Sequence, residues 1–112
     1  MDIFQSTSDS GILTLTASGR LDADTTARFA EVLTGCIDRG DRRIVLDLAG
    51  VDYVSSVGLR ALIVAAKKQA TLGGKIVLSG PQERILKLLE VAGFTSIFTI
   101  APTREQAMEA FG

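Results

Sequence analysis

Apolar and polar side chains alternate between positions 13 and 18, which is the two-residue period of a β-strand with one buried face. A shorter strand is predicted around Ile3 and Phe4, and the turn-forming residues 8–11 would join the two strands. The apolar members of the alternation are Leu13, Leu15 and Ala17, and the polar members are Thr14, Thr16 and Ser18.

Four later segments have the 3.6-residue apolar period of amphipathic helices. The first runs from about Ala23 to Arg39 before Gly40, and the second from Val57 to about Leu72. A third has Pro81 in its first turn and ends before Gly93, and a capping box of Thr103 with Gln106 predicts a closing helix. The predicted apolar stripes are Phe29, Val32, Leu33, Cys36 and Ile37; Leu59, Leu62, Ile63, Ala66 and Ala70; and Ile85, Leu88, Leu89 and Ala92. The closing helix is expected to run through Ala107, Met108 and Phe111, and Lys67, Lys68 and Gln69 are placed on the outer side of the second helix.

Compact apolar runs separate these helices and are typical of buried strands. They are predicted at Arg43 to Leu48, Ile76 to Leu78 and Ile97 to Ile100, with a turn at Gly73-Gly74 before the second run. The element order is therefore ββαβαβαβα. This order predicts an α/β fold with a mixed, mostly parallel sheet. All 112 residues are expected to form a single domain.

The overall composition narrows the class of protein. A formal net charge of −1 gives no electrostatic footprint for nucleic acid. No apolar run is long enough to cross a bilayer, and Met1 to Gln5 lacks the basic and apolar character of a signal peptide. We therefore expect a cytoplasmic protein that does not insert into membranes. With one cysteine and no histidine, we expect no metal site and no cofactor. Cys36 is expected to be a buried apolar residue.

Two adjacent serines, Ser55 and Ser56, stand where a predicted strand has ended and the second helix begins. Either hydroxyl could cap the helix. Alternatively, one of them could accept a phosphate, since unpaired N–H groups and the helix dipole favour an anion at this end. Asp22 could likewise cap the first helix, with Asp24 or Thr25 as alternatives, whereas Asp47 and Asp52 are expected to form local turn hydrogen bonds.

Catalysis is not expected. A serine nucleophile needs an activating base, and the chain has no histidine. The sequence around Ser56 lacks the Gly-x-Ser-x-Gly elbow, and Gly73-Gly74-Lys75 lacks the spacing of a phosphate-binding loop. The sequence therefore favours a binding or signalling module.

The segment from Asp47 to Leu59 resembles the signature of the STAS domain, the fold of bacterial anti-sigma factor antagonists. Three further segments resemble this family in the same order, so that the resemblance covers nearly the whole chain. These segments are Gly19-Arg20-Leu21-Asp22, Gly73-Gly74-Lys75-Ile76-Val77-Leu78 and Leu89-Glu90-Val91-Ala92-Gly93-Phe94. The fold that the resemblance implies agrees with the element order read from periodicity.

The resemblance also implies a phosphorylation site. In the family, the signature reads Asp-Ser-Ser-Gly-Leu and its first serine is the phosphoacceptor. Alignment on Gly58 and Leu59 places that serine at Ser56, the family's aspartate at Ser55 and its second serine at Val57. Ser55 is then a rival acceptor or the helix cap. The residues expected to contact a partner are Asp22, Ser55, Ser56, Val57 and Gly58, where glycine would let that partner approach closely.

Two functions from different classes follow. The first is an anti-sigma factor antagonist that binds a serine kinase acting as anti-sigma factor and is released when Ser56 is phosphorylated. A PP2C-type phosphatase would restore the serine, and ATP would be the kinase's cofactor. The alternative is a non-switching structural STAS subunit that docks on a transporter or another protein complex. The sequence gives no oligomeric state.

Overall fold

The computed structural model describes residues 1–111, which form one five-stranded sheet, four α-helices and one short 3₁₀ turn. The strands are β1 (Asp2–Thr7), β2 (Leu13–Leu21), β3 (Arg43–Val54), β4 (Lys75–Ser79) and β5 (Thr99–Ala101). The helices are α1 (Thr26–Asp38), α2 (Ser56–Thr71), α3 (Glu83–Val91) and α4 (Arg104–Glu109), and the 3₁₀ turn is Phe94–Ser96. The predicted order of strands and α-helices is confirmed.

The spatial order of the strands is β1-β2-β3-β4-β5. β1 pairs antiparallel with β2, and each later neighbouring pair is parallel. The mixed, mostly parallel sheet predicted from the sequence is therefore confirmed. A helical connection returns the chain to the same end of the sheet before each parallel strand, as parallel pairing requires.

The helices cover both faces of the sheet. Buried side chains of α1, α2 and α3 pack with Ile44 and Leu46 of β3 in one apolar cluster. Val45 points to the opposite face, where Val77 and Ala107 of α4 form a smaller cluster. This arrangement explains why the β3 run is apolar at consecutive positions, since both of its faces are covered.

The two central strands are longer than the sequence predicts. β3 was expected to end at Leu48, but it continues to Val54, and β2 includes Gly19 to Leu21 rather than ending before them. β4 pairs only with residues 43–47 of β3, so the added part of β3 pairs with β2 alone. The prediction that Asp52 lies in a turn is wrong for this reason. The two strands form a ribbon that carries the candidate site at its end.

Three helix and strand boundaries also differ from the prediction, and one of them is that α3 begins at Glu83, after Pro81 rather than with Pro81 in its first turn. α1 begins at Thr26 rather than near Ala23, because Asp22 organises a preceding turn. The segment predicted as a strand from Ile97 begins with the end of a 3₁₀ turn, and only Thr99–Ala101 pairs with β4. The Thr103 cap is confirmed, with its Oγ1 accepting a hydrogen bond from the Gln106 N–H at 3.1 Å.

Gln69 is the clearest error in the predicted helix faces. It was placed on the outer side of α2, yet its side chain is completely buried. Its Nε2 donates to the Asp41 carbonyl at 2.7 Å, and its Oε1 accepts from Arg42 Nη1 at 2.7 Å. Because both ends of the amide are satisfied, a polar side chain is tolerated there.

Two further expectations concern buried groups. Cys36 is buried as predicted, and this burial raises the pKa of its thiol. Asp47 forms the expected local hydrogen bond, since its Oδ1 accepts from the Ala49 N–H at 3.0 Å. Its Oδ2 also accepts from Arg104 of α4 at 2.8 Å, a long-range contact that the sequence did not indicate.

Candidate functional site

The candidate site lies where β2 and β3 end side by side. Arg20 is opposite Tyr53 in the parallel pairing, and Leu21 is opposite Val54. The Ser55 N–H then donates to the Leu21 carbonyl at 2.8 Å, which continues the pairing by one residue. Asp22 directly follows Leu21, so the structure brings the turn that contains Asp22 and the start of α2 to the same end of the sheet.

Ser55 and Ser56 have different positions at the start of α2. Ser55 is the N-cap: its backbone is extended, at φ −84° and ψ 169°, and its Oγ accepts from the Gly58 N–H at 3.2 Å. Ser56 is the first residue of the helix, and it is exposed. The sequence left open which serine caps the helix. The structure assigns the cap to Ser55 and leaves Ser56 exposed to solvent.

Val57 and Gly58, which are adjacent in the helix, differ in exposure. Val57 is 51% exposed, whereas Gly58 is buried. A Cβ at Gly58 would lie 2.8 Å from Leu21 Cγ and 3.1 Å from the Leu21 carbonyl oxygen. Gly58 was expected to lie on the outer surface, where a partner could approach it closely. That prediction is wrong, because Gly58 is buried against Leu21. Glycine here allows α2 to pack closely against the end of β2.

Asp22 stabilises the turn before α1. Its Oδ1 accepts from the N–H groups of Asp24 at 3.0 Å and Thr25 at 3.1 Å. The helix itself begins at Thr26, the residue after Thr25. Desolvation acts to raise the pKa of the Asp22 carboxyl, but these hydrogen bonds and the charge of Arg20 lower the pKa below its ordinary value on balance. The carboxylate is thus stabilised in its charged form beside the candidate site.

Three side chains at this end of the sheet were not predicted. The Arg20 guanidinium lies 4.1 Å from the centre of the Tyr53 ring and 3.6 Å from Asp22 Oδ2. Arg60 lines an open cleft of about 400 Å³ together with Ser56 and Val57. A signal for Arg60 was available in the sequence, because residues four apart on a helix are neighbours. Arg20 and Tyr53 become neighbours only through the extended pairing of β2 with β3.

The chemistry of the site is that of a presented hydroxyl. Within residues 1–111, no group of three or more histidine, cysteine, aspartate or glutamate side chains is arranged to hold a metal ion. Ser56 instead offers an accessible oxygen at the start of a 16-residue helix. A phosphoryl group on that oxygen would lie near the positive end of the helix dipole.

Across the same described residues, no helix is both long and apolar enough to span a bilayer.

Comparisons with known proteins agree with this fold and its extent. The family model described as the STAS domain matches residues 4–107. A protein named as an anti-sigma factor antagonist, BtrV of Bordetella bronchiseptica, is 36% identical over 101 residues, covering 90% of this chain and 87% of the relative.

Solved structures show the same fold at lower sequence identity. The protein TM1081 of Thermotoga maritima superposes with a TM-score of 0.89 at 23% identity, covering 96% of this chain and 92% of the other. The Bacillus cell fate determinant SpoIIAA, in its phosphorylated form, superposes with a TM-score of 0.76 at 15% identity, covering 99% and 100% of the two chains.

Proposed function

This chain belongs to the STAS domain family, and we propose that it is an anti-sigma factor antagonist controlled by phosphorylation of Ser56. The unmodified protein binds a serine kinase that is also an anti-sigma factor, and the phosphorylated protein is released. The observation that carries this proposal is the division of roles between the two serines. Ser55 caps α2, which leaves the exposed Ser56 free to be modified.

Two relatives support the proposal by what they are named for. BtrV, which matches most of this chain, is named as an anti-sigma factor antagonist. SpoIIAA, which has the same fold, has been solved in a phosphorylated form. These names describe those proteins, and the exposed hydroxyl at the start of α2 is the feature that extends the proposal to this chain.

The phosphate would act on association rather than on folding. It adds a charge of about −1.5 to −2 to the surface of Ser56 and Val57. The start of α2 tolerates that charge because of the helix dipole, and its first turn contains no acidic residue to repel it. An interface formed around a neutral hydroxyl and Val57 would instead have to desolvate a dianion. The modified protein therefore keeps its fold and loses its partner.

The chemistry of the cycle is supplied by the partners. The kinase transfers the γ-phosphoryl group of ATP to Ser56 Oγ, the hydroxyl proton is lost, and ADP leaves. A PP2C-type phosphatase hydrolyses the phosphoserine with water and releases inorganic phosphate. This chain supplies the acceptor and its surroundings, and Asp22 is proposed to contribute to partner recognition beside it. We place this cycle in the cytoplasm, where ATP is available.

Incubation with ATP and a soluble extract of the native cells, followed by intact mass and site mapping, tests the acceptor. We expect one phosphate on Ser56 in the wild type and in Ser55→Ala, and none in Ser56→Ala. Phosphate on Ser55 would contradict the assignment. If kinases shown to be active in the extract leave the protein unmodified, the non-switching docking subunit becomes the better account.

The kinase that modifies Ser56 can be purified from that extract, and its binding to variants of this chain tests the switch. Ser56→Ala should bind as the wild type does, and Ser56→Asp should lose binding. Ser6→Asp is the matched control, because it adds the same charge far from the candidate site. Ser6 is opposite Thr14 in the β1–β2 pairing, and Thr14 is seven residues before Leu21. That separation is about 23 Å along the strand. Tight binding by Ser56→Asp would refute the switch.

A further inference from the structure

Arg60 lies one helical turn after Ser56 on the same side of α2. The two side chains line one open cleft of about 400 Å³, and Val57 is its other lining residue. Residues four apart on a helix have Cβ atoms about 5–6 Å apart. Long helical side chains also lean toward the helix N-terminus, so the Arg60 side chain extends over the turn that begins with Ser56.

Arg60 is the cation of this surface that has no carboxylate partner. Residues 1–111 contain four ion pairs, and Arg60 takes part in none of them. α2 contains no aspartate or glutamate that could compete for it. Arg20, the other guanidinium at this end of the sheet, already contacts Asp22 and the Tyr53 ring. An anion added to Ser56 therefore meets one unpaired guanidinium within the reach of an i, i+4 pair.

We propose that Arg60 is the counter-ion of phosphorylated Ser56, a role that rests on the function proposed above. A guanidinium presents its N–H donors in a fork that matches two phosphate oxygens. The pair would hold the phosphate over the first turn of α2, next to the exposed Val57 side chain. A partner that meets an unpaired cation and a hydroxyl before modification would meet a fixed anion after it.

The proposal is tested by ³¹P NMR titration of the whole chain with phosphoserine incorporated at position 56 during synthesis, so that no kinase is needed. A neighbouring cation stabilises the dianion and lowers the second pKa of phosphoserine, which is ordinarily about 6. Arg60→Gln should raise that pKa by about half a pH unit, the size expected for one exposed ion pair. Arg60→Lys should keep most of the lower value.

Lys67→Gln is the matched control, because Lys67 is an exposed cation on the same helix. It lies about 16 Å from Ser56 along the helix axis, beyond the Debye length at physiological ionic strength. Equal pKa shifts for Arg60→Gln and Lys67→Gln, or an Arg60→Lys shift as large as that of Arg60→Gln, would overturn the proposal. That result leaves Ser56 as acceptor, whereas an unmodified Ser56 in the cell-extract experiment would refute the acceptor and leave the titration unchanged.

Discussion

At the scale of single residues, Gly58 determines how closely α2 approaches β2. The position of its missing Cβ lies 2.8 Å from Leu21 Cγ and 3.1 Å from the Leu21 carbonyl oxygen. The same carbonyl accepts the Ser55 N–H, so movement of α2 away from Leu21 would also disturb the start of the helix. A side chain at Gly58 therefore affects the candidate site through the backbone.

We expect Gly58→Ala to lower the free energy of unfolding by about 1–3 kcal/mol, since the added methyl group is forced against Leu21. Gly35→Ala is the matched control, because Gly35 is also helical and nothing lies within 4 Å of its Cβ position. That variant should gain about 0.5–1 kcal/mol from the better helix propensity of alanine. Urea unfolding followed by circular dichroism measures both, and the same sign for the two variants would contradict the packing argument.

At the scale of elements, α2 depends on Ser55 for its first hydrogen bond. The Ser55 Oγ accepts from the Gly58 N–H, while the neighbouring Ser56 hydroxyl is exposed. The helix has no acidic residue in its first turn to complement the dipole. The cap is therefore the main local side-chain interaction that fixes where α2 begins.

We expect Ser55→Ala to lower the free energy of unfolding by about 1 kcal/mol, the usual cost of a lost N-cap. Ser55→Asp should keep most of the stability, because a carboxylate accepts the same hydrogen bond and suits the helix dipole. Ser56→Ala should change stability little, since its side chain makes no cap. Thermal unfolding of the three variants checks this order, and a larger loss for Ser56→Ala than for Ser55→Ala would contradict the assignment of the cap.

Periodicity was sufficient to predict the order of the elements but not the ends of the central strands. The α1 stripe was correct because Phe29, Leu33 and Ile37 all face a single apolar layer. The extension of β3 past Leu48 escaped prediction because it pairs with β2 alone and leaves several side chains exposed. Gln69 was misplaced because its burial depends on Arg42 and the Asp41 carbonyl, 27 and 28 residues away in the chain.

The candidate site was predictable only where local chemistry defines it. The serine pair could be recognised from its place before a helix, and the family resemblance made Ser56 the expected acceptor. The inward position of Gly58 could not be read from the sequence, because it depends on which side of α2 meets Leu21. The contact of Arg20 with Tyr53 likewise depends on the register between β2 and β3.

At the scale of the whole molecule, the two faces of the sheet are covered unequally. Three helices cover one face, and the six-residue α4 packs on the other. Arg104 at the start of α4 donates to Asp47 Oδ2 at 2.8 Å and to Thr16 Oγ1 at 3.1 Å. The Asp47 side chain is only 12% exposed, so this ion pair joins the C-terminal helix to the middle of β2 and β3.

We expect Arg104→Gln to lower the free energy of unfolding by about 1–3 kcal/mol, because the largely buried Asp47 carboxylate loses its charged partner. Lys68→Gln is the comparison: Lys68 Nζ lies 2.6 Å from Asp38 Oδ1, but both side chains are well exposed, at 41% and 57%. That change should cost no more than about 0.5 kcal/mol. Urea unfolding of both variants measures the two losses of stability. Equal losses would show that the burial of Asp47 does not add to the strength of its ion pair.

The agreement between strand order in the sheet and strand order in the chain has a consequence for synthesis. No strand has to enter between two strands that are already paired, because each new strand adds at a free edge. A chain that emerges from the ribosome N-terminus first can therefore assemble its sheet in the order of translation. β2 and β3, which carry the candidate site at their ends, can pair before β4 is made. The contact of Arg104 with Asp47, 57 residues apart, forms only after nearly the whole chain has appeared.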